Sequence, residues 1–221
     1  MPRKNHSISW SNHLLNFLSV ILGVYLAFFL NDRADRNRDR NEGQVLMESL
    51  AGDLAKDIEQ YGDYQIPVNR QHVARLEDLL DMLERDSVAG IEAHLGAIFE
   101  VENYAATTAT YAAMRSSGKL GLIGDPELRK QLADHYEGLA VESIRKGEYQ
   151  VDYFTNELLP WLTLNMDLAT MQLVKEDELT VLKNKLIIYG SLVEQKVGSY
   201  EAMAESSEAL RERIAAALGT R

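Results

Sequence analysis

From Leu14 to Leu30 the chain reads LLNFLSVILGVYLAFFL, 17 residues with no charged side chain, and 23 when the run is extended back to Ile8. A helix rises about 1.5 Å per residue, so about 20 apolar residues cross a bilayer core. The run predicts one transmembrane helix, weakened slightly by the polar Asn16 and Ser19. Arg3 and Lys4 ahead of it also fit the start of a secretory signal. The apolar run, however, exceeds the usual ~7–15 residues of such a signal, and NDRADRNRDR beyond it offers no small-x-small cleavage site. An uncleaved anchor is preferred over a cleaved signal or a buried core helix. Gly23 and Ala27, four residues apart, form a small-xxx-small pair of the kind that lets membrane helices pack, although single small residues are common in such helices without that role.

After the apolar run the pattern changes to opposite charges at spacings of three and four: Asp32 with Arg36, Asp35 with Arg38, Arg36 with Asp39, and Arg38 with Glu42. This predicts a solvated helix laced with weak ion pairs. An apolar stripe at Val45, Leu46, Leu50, Leu54, Ile58 and Tyr61 carries the helix further, with Gly43, Gly52 and Gly62 as possible breaks. Pro67 is expected to mark the first turn. A second helix follows with Val73, Leu76, Leu79, Leu80 and Leu83 on one face. A break at Arg85-Asp86-Ser87 precedes a third stripe at Ile91, Leu95, Ile98 and Phe99.

Tyr111, Met114 and Arg115 are placed on a short helix ended by Gly118, glycine being the usual left-handed residue past a helix end. Asp125-Pro126-Glu127 is a helix start: a capping carboxylate, a proline at the first helical position and an acid at the positive pole. That helix carries Leu128, Leu132, Tyr136 and Leu139, then Ile144 and Tyr149, and Pro160 is expected to end or kink it. The segment to Leu173 is read as another short helix. Glu176-Asp177-Glu178 opens a last helix whose stripe runs Leu179, Leu182, Leu186, Tyr189, Val193, Val197, Tyr200, Met203, Leu210, Ile214 and Leu218. Its steps of three and four have coiled-coil spacing, and Arg211 and Arg213 suit its negative pole.

The predicted fold class is all-α: an N-terminal transmembrane helix continuing into a long-helix bundle. The expected organisation is a polar tail at 1–13, the membrane helix at 14–30, a charged helical extension at 31–64 and the bundle at 65–221. The first and last helices are expected to pack together or against copies of themselves. Trp10 and His13 suit the headgroup level.

Charge sharpens this division. Residues 1–44 carry six Lys/Arg and four Asp/Glu, whereas 45–221 carry 17 and 30, a net of −13. So acidic a domain repels phosphates, and no nucleic-acid partner is expected. The expected partners are the lipid bilayer and either itself or other membrane-protein subunits. With no cysteine among its 221 residues the chain has no disulfide, no thiolate metal site and no thiol nucleophile.

Thr110 to Glu137, TYAAMRSSGKLGLIGDPELRKQLADHYE, resembles a family of uncharacterised bacterial proteins, a domain-of-unknown-function group. The resemblance rests on Tyr111, Ser117, Gly118, Lys119, Leu120, Glu127, Leu128, Arg129 and Tyr136, and on the stretch VILGVYLAFFLNDR. It covers about the first 65 residues and the 104–140 region. It implies an N-terminal membrane helix, an Asn- and Arg-rich exit and a helical domain, and it carries no activity.

Tests for chemistry are negative. None of His6, His13, His72, His94 and His135 forms HExxH or Glu-x-x-His, so no metal site is expected. SSGKLG lacks the spacing of a phosphate loop, and Leu120 stands where that loop needs a hydroxyl. Arg115 and Lys119 are able to bind an anion or to pair with an acidic neighbour, the commoner outcome. Neighbouring carboxylates such as Glu100 and Glu102 are read as solvated faces. Neither cofactor nor catalytic residue is expected. The candidate interaction positions are Tyr111, Arg115, Ser117, Gly118, Lys119, Arg129 and Tyr136, with Gly23 and Ala27 for packing in the membrane.

Counting basic residues on the two flanks leaves orientation undecided. The resemblance and the signal-anchor-like start favour the bacterial inner membrane with the domain in the periplasm. The expected function is non-enzymatic: a structural or accessory subunit, or scaffold, of a membrane complex, and oligomeric. The alternative is an extracytoplasmic ligand-sensing bundle that signals through a partner. An enzyme with a dispersed active site, signalled by His135 among carboxylates in a cleft, ranks third.

Overall fold

The computed structural model describes residues 10–85, 91–174 and 178–219, with backbone alone for 11–13. Seven α-helices account for most of them: α1 (Trp10–Glu59), α2 (Ile66–Glu84), α3 (Ala109–Ser116), α4 (Pro126–Ala133), α5 (Ala140–Tyr153), α6 (Leu159–Asn165) and α7 (Leu179–Gly219). The contacts divide the chain after Val45.

In the first unit every residue from Leu14 to Leu30 is exposed, and the most apolar 18-residue window has a mean hydropathy of 2.0 with none of it buried. By length and composition this is a candidate membrane span. Beyond it, Arg36 pairs with Asp32 and Arg38 with Asp35, two of the ion pairs expected from spacing.

The second unit is the bundle. It begins at Leu46, earlier than the expected boundary at residue 65, because Met47, Leu50, Leu54, Asp57 and Tyr61 face its interior. The inward face of α7 steps by four and three through Leu182, Leu186, Tyr189, Val193, Lys196, Tyr200, Met203, Ser207, Leu210 and Ile214, with Val197 buried beside Lys196. That regularity suits α7 to run the length of the core. Its first part joins Leu76, Leu79, Leu83, Ile98, Trp161 and Leu162 in one apolar cluster. Its last part joins Met47, Leu50, Leu54, Met114, Leu128 and Leu132 in another. Between them lies a smaller cluster of Tyr61, Ala140, Tyr200 and Met203. The first and last helices thus share a core, as expected.

Neither Pro67 nor Pro160 breaks its helix. A π-helical segment at Gln60–Gln65 leads directly into α2, and another at Phe154–Leu158 leads into α6, so each proline sits two residues past a π segment. Proline cannot donate to the carbonyl four residues back, and its ring crowds that carbonyl. Widening the turn beforehand displaces the carbonyl and lets the helix pass. A third π segment, Asp134–Leu139, joins α4 to α5. Each inserts about one residue, and the buried positions record it as consecutive steps of four: Asp57, Tyr61, Gln65, Asn69 and then Leu132, Tyr136, Ala140.

The insertion also rotates α5. Its buried residues are Ala140, Ser143, Gly147 and Gln150, whereas Ile144 and Tyr149, expected inside, are exposed. Other expectations change as well. Ile91, Leu95 and Ile98 are buried as predicted, but on short 3₁₀ turns at Ile91–Ala93 and Leu95–Phe99 rather than on a full helix, and Phe99 is exposed. The segment from Pro160 to Leu173, expected to be one short helix, is helical only as far as Asn165, and beyond it the chain forms a two-stranded antiparallel hairpin, β1 (Met166–Asp167) and β2 (Gln172–Leu173). Met171 takes a positive φ of 56° in its connection. Asp86, Ser87, Glu176 and Asp177 lie outside the described residues.

Local signals in the middle of the chain are realised. Gly118 ends the α3 region with φ 74°. The Asp125 carboxylate accepts from the amides of Glu127 at 2.9 Å and Leu128 at 3.3 Å. Arg213 does not sit free at its helix pole: its guanidinium donates to Asp125 at 2.9 Å, tying the end of α7 to the cap of α4.

Candidate functional site

The middle of the bundle is polar. Asp57 on α1 is fully buried and accepts four hydrogen bonds: from the Tyr104 hydroxyl at 2.8 Å, the Thr107 hydroxyl at 2.8 Å and the Thr107 amide at 2.9 and 3.1 Å. A buried carboxylate needs such partners. These hold the 104–107 segment, which has no helix or strand of its own, against α1. The Tyr104 amide donates in turn to the Tyr200 hydroxyl at 3.0 Å. The ring of Tyr61 meets Tyr104 edge-on at 4.9 Å and Tyr200 at 5.2 Å. Burial raises the phenol pKa values of Tyr61 and Tyr200 above the ordinary range.

Lys196 is the second anchor of this waist. It is fully buried, and its ammonium donates to the Glu102 carbonyl at 2.8 Å, to Asn103 Oδ1 at 3.2 Å and to Gln150 Oε1. All three acceptors are uncharged, so desolvation dominates and lowers its pKa from 10.5 to about 8. Gln150 donates onward to the Tyr189 hydroxyl at 2.9 Å, which donates to the Glu100 carbonyl at 3.2 Å. Gly147 leaves the room that Asn103 occupies: a Cβ there would stand 3.0 Å from Asn103 Oδ1.

Two histidines flank these groups. His135 is buried with Nδ1 2.8 Å from Ser206 Oγ, and its Nε2 has no partner among the described residues. His72 packs edge-on to Tyr189 at 5.8 Å, also with Nε2 unpartnered. Burial lowers both pKa values to about 4, so both rings are neutral near pH 7. The His135 ring meets Ser206 and the ring of Tyr136, and the charge of the Asp57 carboxylate reaches it. Among the described residues no group of three or more His, Asp or Glu is placed to hold a metal ion.

A cavity of about 360 Å³ opens beside the waist. Tyr104, Tyr200 and Ser143 form part of its lining, Ile144 and Val151 supply apolar wall, and Glu148 and Asp152 line it from α5.

The structure brings some sequence-selected positions together elsewhere. Tyr111 stacks on Tyr136 with ring centroids 4.6 Å apart. The Tyr111 hydroxyl donates to Glu137, and Arg115 pairs with the same carboxylate at 3.1 Å. Burial and that carboxylate push the Tyr111 phenol up to about 12. Tyr111, Arg115, Tyr136 and Glu137 line one surface groove. Ser117 only closes its own helix, donating to the Ala113 carbonyl at 2.7 Å. Arg129 caps the Ile123 carbonyl at 2.7 Å, and Lys119 sits half-buried on the 3₁₀ turn Lys119–Leu122. Gly23 and Ala27 lie on the exposed apolar helix, with nothing within 4 Å of a Cβ placed at Gly23.

Sequence reasoning did not single out Asp57, Tyr104, Asn103, Gln150 or Lys196. A signal existed for two of them: Asp57 and Lys196 each occupy an inward step of an otherwise apolar stripe. The model of a family of unknown function (DUF6090) matches residues 16–193. The chain belongs to that family. The match runs from the apolar helix through most of the bundle and into α7. No curated protein and no solved structure matches the chain.

Proposed function

We propose that this member of the family is a single-pass membrane protein, anchored in the bacterial inner membrane, whose helical bundle lies in the periplasm and serves as an accessory or scaffold subunit of a membrane complex. One observation carries the reading: from Leu14 to Leu30 every side chain of α1 is exposed, so this apolar surface calls for lipid or a partner helix to cover it. Gly23 and Ala27 give that helix a face at which a second helix can approach closely. Extraction in mild detergent followed by mass measurement of the intact particle tests the subunit role. A homo-oligomer or a particle with further subunits supports it, and a lone monomer overturns it. Orientation has a simple assay because the chain has no cysteine. Glu205→Cys, at an exposed position on α7, reacts with a membrane-impermeant maleimide in intact spheroplasts if the bundle is periplasmic.

A second reading, a ligand-sensing bundle that signals through a partner, is favoured by the cavity beside the polar waist. A ligand seated there would contact Tyr104 and Tyr200, and so the segment held by Asp57.

A further inference from the structure

The cavity combines features that select a ligand. Its base is aromatic, from Tyr104 and Tyr200, and Ala105, Ile144 and Val151 make its sides apolar. Glu148 and Asp152 lie four residues apart on α5 and therefore share a face, and among the described residues no basic side chain lines the cavity. Ser143 also lines it. This serine is 1% exposed, and its hydroxyl lies beside that of Tyr61, with which it interacts.

The nearest buried cation, Lys196, does not line the cavity, and its three protons are committed to Glu102, Asn103 and Gln150. An anion would therefore find carboxylates and no free ammonium. A cation would find two carboxylates, two tyrosines and a serine hydroxyl. The volume, about 360 Å³, lies at the small end of the range for small-molecule sites.

We propose that the cavity between the 103–105 segment, α5 and α7 binds a small amphipathic organic amine, with its apolar body against Tyr104, Ile144 and Val151 and its ammonium toward Glu148, Asp152 and Ser143. This supplies the ligand class for the sensing reading and rests on that reading for the signal alone, not for the binding.

The test is calorimetric titration of the full chain in lipid nanodiscs near pH 7 with three probes of one shape: 2-phenylethylamine, 2-phenylethanol and phenylacetate. The amine should bind at least about ten-fold tighter than the alcohol, and phenylacetate weakest. Glu148→Gln with Asp152→Asn, two exposed positions, should abolish the preference for the amine. Glu194→Gln with Glu205→Gln, which removes the same charge away from the cavity, should leave it intact. Ser143→Ala should weaken the amine more than the alcohol. Equal binding of the three probes, an unchanged preference in the Glu148/Asp152 variant, or no binding of the amine up to roughly 10 mM would each overturn the proposal. Binding without any change in particle mass or partner content would sustain the site and remove the signalling role.

Discussion

The end of the bundle around Leu76, Leu79, Leu186 and Trp161 is as well buried as the waist around Asp57, Tyr61, Lys196 and Tyr200, yet the two are held by different forces. At the apolar end, contacts are non-directional and each side chain contributes in proportion to the area it removes from water. At the waist, one carboxylate and one ammonium each organise several directed bonds to a segment without regular structure. Truncation at the apolar end leaves a void. Truncation at the waist leaves unpaired donors and releases the 102–107 chain.

The largest expected effect follows directly. Asp57→Ala strands the donors of Tyr104 and Thr107 and should destabilise the bundle by about 4 kcal/mol. Leu186→Ala at the apolar end should cost about 3 kcal/mol. Urea unfolding measures both. Hydrogen exchange separates them, because only the Asp57 variant should lose protection at the Thr107 amide before global unfolding.

Acid should act through the histidines. His72 and His135 have pKa values lowered from 6.5 to about 4, so the unfolded chain binds more protons between those limits. Stability is therefore fully present above about pH 6.5 and falls as pH drops toward 4, by about 3 kcal/mol for each ring. His135→Gln should flatten that fall in a melting series. An unchanged slope would mean that the ring is not buried neutral.

Lys196 should act in the opposite range. Its pKa is lowered from 10.5 to about 8, so stability rises as pH climbs from 8, and tyrosine ionisation in the unfolded chain opposes the rise above about pH 10. The gain between pH 8 and 10 should be about 2 kcal/mol and should be missing from Lys196→Met.

The smallest effect contrasts two helical glycines. Gly52→Ala meets nothing within 4 Å and should stabilise by up to about 1 kcal/mol through helix propensity. Gly147→Ala gains the same propensity but crowds Asn103, which Lys196 holds, so it should be neutral or destabilising by about 1 kcal/mol. A melting curve of each decides the matter.

Much of the apolar framework was legible along the chain. The stripe of α7 from Leu182 to Ile214, the cap at Asp125 and the left-handed Gly118 follow from spacing and local chemistry, which neighbours within a turn determine. The waist was not legible in the same way. A search for apolar residues steps over Lys196 and Asp57 and picks Ile144 and Tyr149 on α5, where burial falls on Ser143, Gly147 and Gln150. The π segments compound this: an inserted residue rotates everything after it, and only the run of four-residue steps betrays it. Pro67 and Pro160 were read as breaks because proline obstructs an α-turn, yet each follows a turn already widened. In the candidate cavity, Tyr104 and Ser143 became neighbours only through packing.

Local order and period therefore settled the all-helical class, the apolar N-terminal helix, the capped helix at Asp125 and the core stripe of α7, because each depends on residues a few positions apart. The tertiary structure alone decided that Asp57 meets Thr107, that Lys196 meets Asn103 and Gln150, and that a cavity opens beside them. Those contacts join residues 46 to 93 positions apart. Such pairs carry no shared period, and only the packing of α1, α5 and α7 around one core brings them within hydrogen-bonding distance.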